Sequence, residues 1–258
     1  MSALHKIKNY LNYWLDAVDE HSLHAPFLFD FYTRVINRET IAIPQYEALR
    51  KQLANDNREI DVEDFGAGSK HVKGRQRKIS DIALLSLSDT KFSTLYTRIA
   101  AHCHAKTIVE LGTSLGINTL YLAAAPDSKV YTFEGSETIA EIASIGFEFA
   151  GATNIELITG NIDNTLYTTL SRIPKIDMAF LDANHRYEPT LHYFDMLVSR
   201  SHHKTIIILD DIHDSPDMER AWSTIKMNPL VYITADLFRC GLVFLDPSLN
   251  KQHVVLRF

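Results

Sequence analysis

The sequence is poor in cysteine and lacks any long apolar run. Its 258 residues include only two cysteines, Cys103 and Cys240, which stand far apart. So few cysteines exclude a disulfide framework and favour a reduced setting. No window approaches the roughly 20 apolar residues of a membrane-spanning helix, and the first residues lack the apolar core of a signal peptide. We therefore expect a cytoplasmic protein with no membrane partner.

The sequence also lacks an excess of positive charge. The formal net charge is −6, which argues against a nucleic-acid partner because such binding depends mainly on neutralising phosphates. With 46% hydrophobic and 22% charged residues, the chain can bury one large core or a core with a modest extension. The expected partner is a small-molecule substrate. The sequence leaves the oligomeric state open, with a homodimer as one possibility.

Two familiar glycine-rich phosphate-binding patterns are absent from the most informative stretch, residues 107–120. An apolar run ends there in Glu110, a turn with Gly112 and Gly116 follows, and helical spacing then resumes. A dinucleotide fingerprint would need glycine where Ser114 and Ile117 stand, and no Gly-Lys-Ser/Thr follows for a P-loop. The pattern indicates a strand, tight turn and helix that hold a nucleotide-like ligand. Gly112 would let the ligand approach the backbone, and Gly116 would let the helix pack close to the strand. A plain glycine turn is the alternative.

The remaining pattern predicts an α/β fold. Residues 1–106 are mostly helical in pattern and form an expected N-terminal cap, whereas residues 107–258 form an expected ligand-binding catalytic domain. Short β-branched runs alternate there with helical segments, which favours a doubly wound, mostly parallel, Rossmann-like sheet of seven strands with an antiparallel C-terminal edge. The predicted strands are 107–111, 129–133, 155–159, 176–181 and 205–209, followed by pairing runs at 231–238 and 241–245 and a further candidate at 252–258.

A glycine-bearing basic segment, residues 64–78, interrupts the helical part. Its glycines imply a flexible loop, and its positive charges imply an exposed one. It is either a solvated loop or a lid over an anionic substrate, and the sequence does not decide between them.

Polar groups follow the first three predicted strands of the sheet, whose carboxyl ends should meet at one crevice. Glu134 lies about 20 residues beyond the glycine turn, where an acid can accept hydrogen bonds from ribose hydroxyls. Gly135 follows it directly. Asn161 and Ile162 follow the next strand and would read the edge and face of an adenine; an Asx-type turn leading into a helix is an equal alternative.

Aspartates follow the next two strands. Asp182, Asp210 and Asp211 each come after a very apolar strand. A helix cap is the commonest role of such a residue. Three clustered carboxylates, however, repel one another, and a hard divalent cation is a natural offset. The sequence therefore predicts a metal site at these aspartates.

These residues resemble the class I S-adenosylmethionine-dependent methyltransferases, and specifically the cation-dependent O-methyltransferases of the catechol and caffeoyl-coenzyme A type. The run Glu110 to Gly116 looks like the family's first motif, and Glu134 looks like its ribose-binding acid. Since this cofactor has no pyrophosphate, the missing glycine is explained. The resemblance implies S-adenosylmethionine as cofactor and the following contact residues: Glu110, Gly112, Ser114, Asn118, Glu134, Gly135, Asn161, Ile162 and Asp182.

The resemblance also implies a cation, usually magnesium, at Asp182, Asp210 and Asp211, with Asp211 replacing the family's asparagine.

The family's general base is a lysine, whereas this chain has His185. Related sugar and macrolide methyltransferases are similar in pairing a histidine base with acidic metal ligands. With an ordinary pKa of about 6.5, a histidine is largely neutral near pH 7 and can take a proton from a hydroxyl. His185 and Asp182 are therefore the predicted catalytic residues, although His185 has helix capping or a bond to Asp182 as an alternative role. His213 is a weaker candidate.

Three other functions stay open. One is a metal-independent N-methyltransferase, in which the acids hydrogen-bond the acceptor. Another is a nicotinamide-dependent oxidoreductase, which the glycine pattern disfavours. The third is a non-catalytic cofactor-binding protein. The identity of the methyl acceptor lies beyond the sequence.

Overall fold

The computed structural model describes residues 3–63 and 75–258. The chain divides into two compact units. The central unit is Thr40–Pro174, and the C-terminal unit consists of Met1–Glu39 together with Lys175–Phe258. Residues before 107 are thus shared between the two units. The predicted domain boundary after residue 106 stays a prediction.

The helices and strands of the described residues follow in chain order. The helices are α1 Ala3–Asp16, α2 Pro26–Phe31, α3 Pro44–Ala54, α4 Ile79–Ser86, α5 Thr90–His102, α6 Ile117–Ala123, α7 Glu137–Ala150, α8 Ile162–Arg172, α9 Tyr187–Val198 and α10 Pro216–Lys226. The strands are β1 Glu59–Asp61, β2 Gln76–Lys78, β3 Thr107–Leu111, β4 Lys129–Glu134, β5 Ile155–Thr159, β6 Ile176–Leu181, β7 Ser201–Leu209, β8 Ile233–Asp236, β9 Gly241–Phe244 and β10 Gln252–Val255.

In the central unit, β3, β4 and β5 pair in parallel, with Leu111 opposite Phe133 and Glu134 opposite Thr159. The strands lie next to one another because α6 and α7 provide the crossovers that parallel pairing requires. All residues of β3 except the first are buried, as expected of a strand covered on both faces. The carboxyl ends of β3 and β4 therefore present their following turns at one edge.

Gly116 is required where α6 meets α7. It caps the N-terminus of α6 with φ +81°, and a Cβ there would lie 2.6 Å from Cε1 of Phe147 and 3.1 Å from the Cβ of Ala143. Close packing at Gly116 was predicted, but against the strand. The neighbour is α7 instead, because the turn directs the start of α6 toward that helix.

In the C-terminal unit the strand order is β6, β7, β9, β8, β10. β6 and β7 are parallel, β9 runs antiparallel to both β7 and β8, and β10 is parallel to β8. The antiparallel C-terminal edge is therefore confirmed. Five strands pair here, and β3, β4 and β5 pair in the central unit. Apart from the short β1–β2 pair, the described residues therefore hold one strand more than the seven predicted. The additional one is β10, from the candidate run at 252–258.

The predicted α/β class is confirmed, because helices alternate with mostly parallel strands in both units.

Most of the basic segment, residues 64–74, is not among the described residues. Its described end forms β2, which pairs antiparallel with β1. No helix among the described residues is long and apolar enough to cross a membrane. Neither cysteine is in a disulfide.

Candidate functional site

The glycine turn, residues 112–116, is pinned to the end of β4. The backbone N–H groups of Gly112 and Thr113 both donate to the carbonyl oxygen of Phe133, at 3.1 and 3.0 Å. Gly112 has φ +102° and Ser114 has φ +48°. The left-handed conformation costs a glycine nothing, but it is unusual for a serine. Strain of this kind concentrates at functional turns.

Glu134 is anchored to this turn. Its Oε2 accepts a hydrogen bond of 2.8 Å from the N–H of Ser114, and its Oε1 accepts one of 3.0 Å from the N–H of Ser136. An ionised carboxylate offers about four lone-pair sites in all. Gly135 lies between the anchored acid and Ser136. This geometry suits the recognition of two neighbouring hydroxyl groups.

Glu110 is fully buried and held by side chains of α6 and β4. It accepts hydrogen bonds from Nδ2 of Asn118 at 3.0 Å, Oγ1 of Thr119 at 2.6 Å and Oγ1 of Thr132 at 2.7 Å. The carboxylate thereby fixes the first turn of α6. Asn118 is itself 8% exposed, and its Oδ1 has no hydrogen-bond partner among the described residues. A buried acceptor without a partner is costly unless a ligand supplies a donor.

Asn161 begins α8 as its N-cap. Its side chain accepts a 3.0 Å hydrogen bond from the N–H of Asp163, and Ile162 is the first residue of the helix. The Asx-type turn considered from the sequence is therefore present, and it occupies the side-chain oxygen of Asn161. The predicted adenine contacts of Asn161 and Ile162 stay predictions.

The acidic cluster, Asp182, Asp210 and Asp211, lies in the C-terminal unit. The N–H of Asp210 donates to the carbonyl oxygen of Leu181 at 3.0 Å, which aligns the ends of β6 and β7. The side chain of Asp210 is 1% exposed. Burial and the charge of Asp182 raise the pKa of Asp210 to about 7, against the opposing effect of Arg239, and the same two causes raise the pKa of Asp211. The structure brings the three carboxylates close enough to repel one another.

His185 contacts the cluster through Asp182. Its Nε2 lies 3.2 Å from Oδ1 of Asp182, and its side chain is 32% exposed. Nδ1 is buried and has no hydrogen-bond partner in the described part of the chain. The backbone of His185 is left-handed, with φ +45°, as is that of Asp211 with φ +54°. Left-handed backbone at two residues of the site, together with an unsatisfied ring nitrogen, is typical of a functional site.

The protonation expected for His185 is corrected by the structure. Burial lowers its pKa, but the bond to Asp182 and the charges of Asp182, Asp211 and Asp210 outweigh burial and raise the pKa to about 9. The carboxylates around His185 therefore favour its protonated form. The ordinary value used at the sequence level did not include these neighbours.

Arg239 is a site residue that the sequence reasoning missed. Its guanidinium meets Asp210 with Nη2 3.0 Å from Oδ2 and Nε 3.2 Å from Oδ1 and 3.3 Å from Oδ2. The sequence led us to expect that a cation offsets the negative charge of the three aspartates. Arg239, 29 residues from Asp210 along the chain, supplies part of that positive charge instead. The only available signal was a charged residue inside a predicted hairpin, between apolar Phe238 and Cys240.

His213, the weaker candidate base, supports the same hairpin. Its Nε2 lies 2.8 Å from Oδ2 of Asp236, and its ring stacks on Phe238 with centroids 5.6 Å apart. Oδ1 of Asp236 accepts the N–H of Phe238 at 2.8 Å. These contacts assign His213 a structural position beside Arg239.

The carboxylate oxygens of the acidic cluster are the donor type that Mg²⁺ prefers. The raised pKa values of Asp210 and Asp211 mark a negative charge that Arg239 does not fully offset. In residues 3–63 and 75–258, however, no three His, Cys, Asp or Glu side chains are arranged as a ready metal site. The cluster therefore fits a cation by its chemistry, while Arg239 holds one of its members.

The resemblance to the class I methyltransferases rests on an α/β fold with a glycine turn after β3, an anchored acid after β4 and acids after β6 and β7. Residues 109–212, less than half of the chain, match a family model described as a methyltransferase domain. This span includes the glycine turn, Glu134, His185 and all three members of the acidic cluster. The resemblance to class I S-adenosylmethionine-dependent methyltransferases is confirmed.

Two curated relatives are catechol O-methyltransferases. The chain is 30% identical to the one from Mycobacterium tuberculosis over 117 residues, which cover 44% of this chain and 51% of the relative. It is 30% identical to the one from Niastella koreensis over 118 residues, which cover 44% of this chain and 52% of the relative. The chain spans about half the length of the curated relatives it matches.

Solved structures agree on the fold. An O-methyltransferase from Bacillus cereus, solved in complex with S-adenosylhomocysteine, superposes with a TM-score of 0.59 at 19% identity and covers 84% of this chain and 97% of that one. Identity this low supports the fold alone.

Proposed function

We propose that this protein is an S-adenosylmethionine-dependent O-methyltransferase that methylates a hydroxyl group of a small molecule. His185 would act as general base, and Asp182, Asp210 and Asp211 would hold a divalent cation, namely Mg²⁺, which prefers oxygen ligands. The observation that carries the proposal is the Asp182–His185 contact beside an unpartnered Nδ1. Both residues lie inside the span that matches a methyltransferase domain.

The central unit would bind the cofactor. When bound, S-adenosylmethionine supplies a methyl group on a positively charged sulfur. Glu134, fixed by Ser114, would accept hydrogen bonds from the ribose hydroxyls. Oδ1 of Asn118 would accept an N–H of the ligand, and the bare backbone at Gly112 would allow close approach. Glu110 would act by holding Asn118 in place.

His185 would take the proton of the acceptor hydroxyl at Nδ1. In the tautomer that carries its proton on Nε2, Nε2 donates to Asp182 and Nδ1 keeps its lone pair. Asp182 would thus hold both the tautomer and the ring orientation. A positioned base of this kind contributes roughly 10²–10⁴-fold to a reaction rate.

A divalent cation, when bound, would lower the pKa of the acceptor hydroxyl and offset the carboxylate charges. Offsetting these charges would also weaken the electrostatic effect that raises the pKa of His185, which favours the neutral form that can act as a base. Turnover measured with a chelator and then with added Mg²⁺ tests this part of the proposal. Loss with the chelator and recovery with Mg²⁺ are expected.

A cation-independent N-methyltransferase is a second candidate, favoured by the contact of Arg239 with Asp210. A guanidinium already offsets one carboxylate there, so that the acids could hydrogen-bond an amine acceptor directly. Activity that survives the chelator with an amine acceptor, and not with a diol, would support this candidate over the first.

Two measurements test the whole proposal. Calorimetry with S-adenosylhomocysteine and with NAD should detect only the former, because the glycine turn lacks the dinucleotide pattern. Methyl transfer from labelled S-adenosylmethionine should be assayed on catechol, since both curated relatives carry that substrate in their names. Binding of S-adenosylhomocysteine without transfer to any hydroxyl or amine would instead indicate a non-catalytic cofactor-binding protein.

A further inference from the structure

Arg239 and Asp210 form a two-pronged ion pair inside the acidic cluster. The guanidinium contacts both carboxylate oxygens through Nε and one of them through Nη2, at 3.0–3.3 Å. The side chains of Asp210 and Arg239 are 1% and 27% exposed. Paired contact of this kind fixes orientation as well as charge, because the planar guanidinium matches the plane of the carboxylate.

The backbone around Arg239 is held from two directions. The carbonyl oxygen of Arg239 accepts the N–H of Ile212 at 3.2 Å. Asp236 accepts the N–H of Phe238 and contacts His213. Phe238 has φ +67°, so the turn between β8 and β9 adopts a conformation that these contacts must maintain. The turn therefore holds Arg239 with its guanidinium already placed against Asp210.

The position of this charge has a consequence for cation binding. A divalent ion at the acidic cluster would share Asp210 with the guanidinium, and two positive charges in a poorly hydrated site repel each other strongly. The same guanidinium stabilises the cluster whenever no ion is bound, because it offsets a buried carboxylate.

We propose that Arg239 is a built-in counter-cation that competes with a divalent cation for Asp210 and thereby keeps cation binding weak and reversible. This inference rests on the cation site of the proposed function. Because the ion binds weakly, the fraction of protein that carries a cation would follow the free cation concentration. Arg239, in the β8–β9 turn, would set the concentration at which the site fills.

The test uses Mn²⁺ as the probe and measures its affinity for the full-length chain by electron paramagnetic resonance. Arg239→Gln removes the charge, and Arg239→Lys keeps the charge without the planar fork. Arg200→Gln, on a residue just beyond the C-terminal end of α9, is the control for loss of a positive charge elsewhere. Circular dichroism and thermal unfolding establish that each variant is folded.

Arg239→Gln should bind Mn²⁺ at least about tenfold more tightly than the wild type, because the competing positive charge is removed. If Arg239 instead served to orient Asp210 as a ligand, its loss would cost roughly 10–100-fold in metal affinity. Arg239→Lys should stay within roughly threefold of the wild type, because it retains the competing charge. Arg200→Gln should not differ from the wild type.

The contrary outcomes separate the two proposals. Unchanged or weaker binding in Arg239→Gln, with normal binding in the wild type, overturns the counter-cation role and leaves the cation site standing. Absence of Mn²⁺ binding in both proteins overturns the site and the role together. If Arg239→Gln does not fold, Arg239→Lys decides, and a change of about tenfold in either direction contradicts the proposal.

Discussion

The backbone N–H of Ser114 donates a 2.8 Å hydrogen bond to Oε2 of Glu134, 20 residues further along the chain. The bond joins the turn after β3 to the acid that ends β4. Parallel pairing of these strands brings the two residues to the same edge. The ribose-binding role proposed for Glu134 therefore depends on a carboxylate whose orientation is already set.

Glu134→Gln should weaken the binding of S-adenosylhomocysteine by roughly 10- to 100-fold, since a hydrogen bond to a charged group contributes about 1.5–3 kcal/mol. Isothermal titration calorimetry measures the effect. Glu141→Gln, on an exposed position of α7, is the matched control. Normal affinity in Glu134→Gln would show that β4 does not present the ribose-binding acid.

His185→Ala should lower turnover by roughly 10²–10⁴-fold, the usual contribution of a general base. Its affinity for S-adenosylhomocysteine should stay close to that of the wild type, because His185 is not among the predicted cofactor contacts. Steady-state kinetics and calorimetry on the same preparation give both values. His192→Ala changes an exposed histidine of α9 and should have no effect. Comparable turnover in the two variants would refute the base assignment.

Asp211→Ala should raise the Mg²⁺ concentration needed for half-maximal turnover by at least about tenfold, because it removes an oxygen ligand of the proposed cation. Titration of Mg²⁺ into chelator-treated protein provides the measurement. Asp195→Ala, at an exposed aspartate of α9, is the control. A turnover that is indifferent to chelator and to Asp211→Ala alike would favour the cation-independent candidate.

Gly116→Ala should destabilise the fold through both strain and overlap. Alanine at a positive φ costs about 1–2 kcal/mol, and a Cβ 2.6 Å from the ring of Phe147 adds about 1–3 kcal/mol of overpacking. Gly151→Ala separates the two effects, because Gly151 has φ +67° but no atom within 4 Å of the added Cβ. Urea denaturation measures both variants. Equal losses of stability would mean that α7 moves aside at no cost.

The local pattern around the glycine turn was predictable because it depends on neighbours in sequence. An apolar strand, a turn with Gly112 and Gly116, and a helical run are each encoded within residues 107–125, and β3 and α6 lie where they were predicted. The same holds for the strand before Asp182, since its hydrophobic residues signal burial without reference to the rest of the chain.

The charge environment of His185 was not predictable in the same way. Its pKa is raised first by the bond to Asp182 and the charge of Asp182, and further by Asp211 and Asp210, which follow a different strand. A single-residue value for histidine contains no information about such neighbours. The contributions of Asp210 and Asp211 to this pKa arise only when β6 and β7 pair and their following residues come together.

The sequence alone determined the alternation of strands and helices, the turn after Glu110, and the acids that end successive strands, because each is a short-range pattern of hydrophobicity and backbone preference. Only the tertiary structure decided that Arg239 meets Asp210 and that Gly116 lies against Phe147. Those contacts join residues far apart in sequence, and it is the pairing of β7 with β9 and the packing of α6 on α7 that bring them within reach.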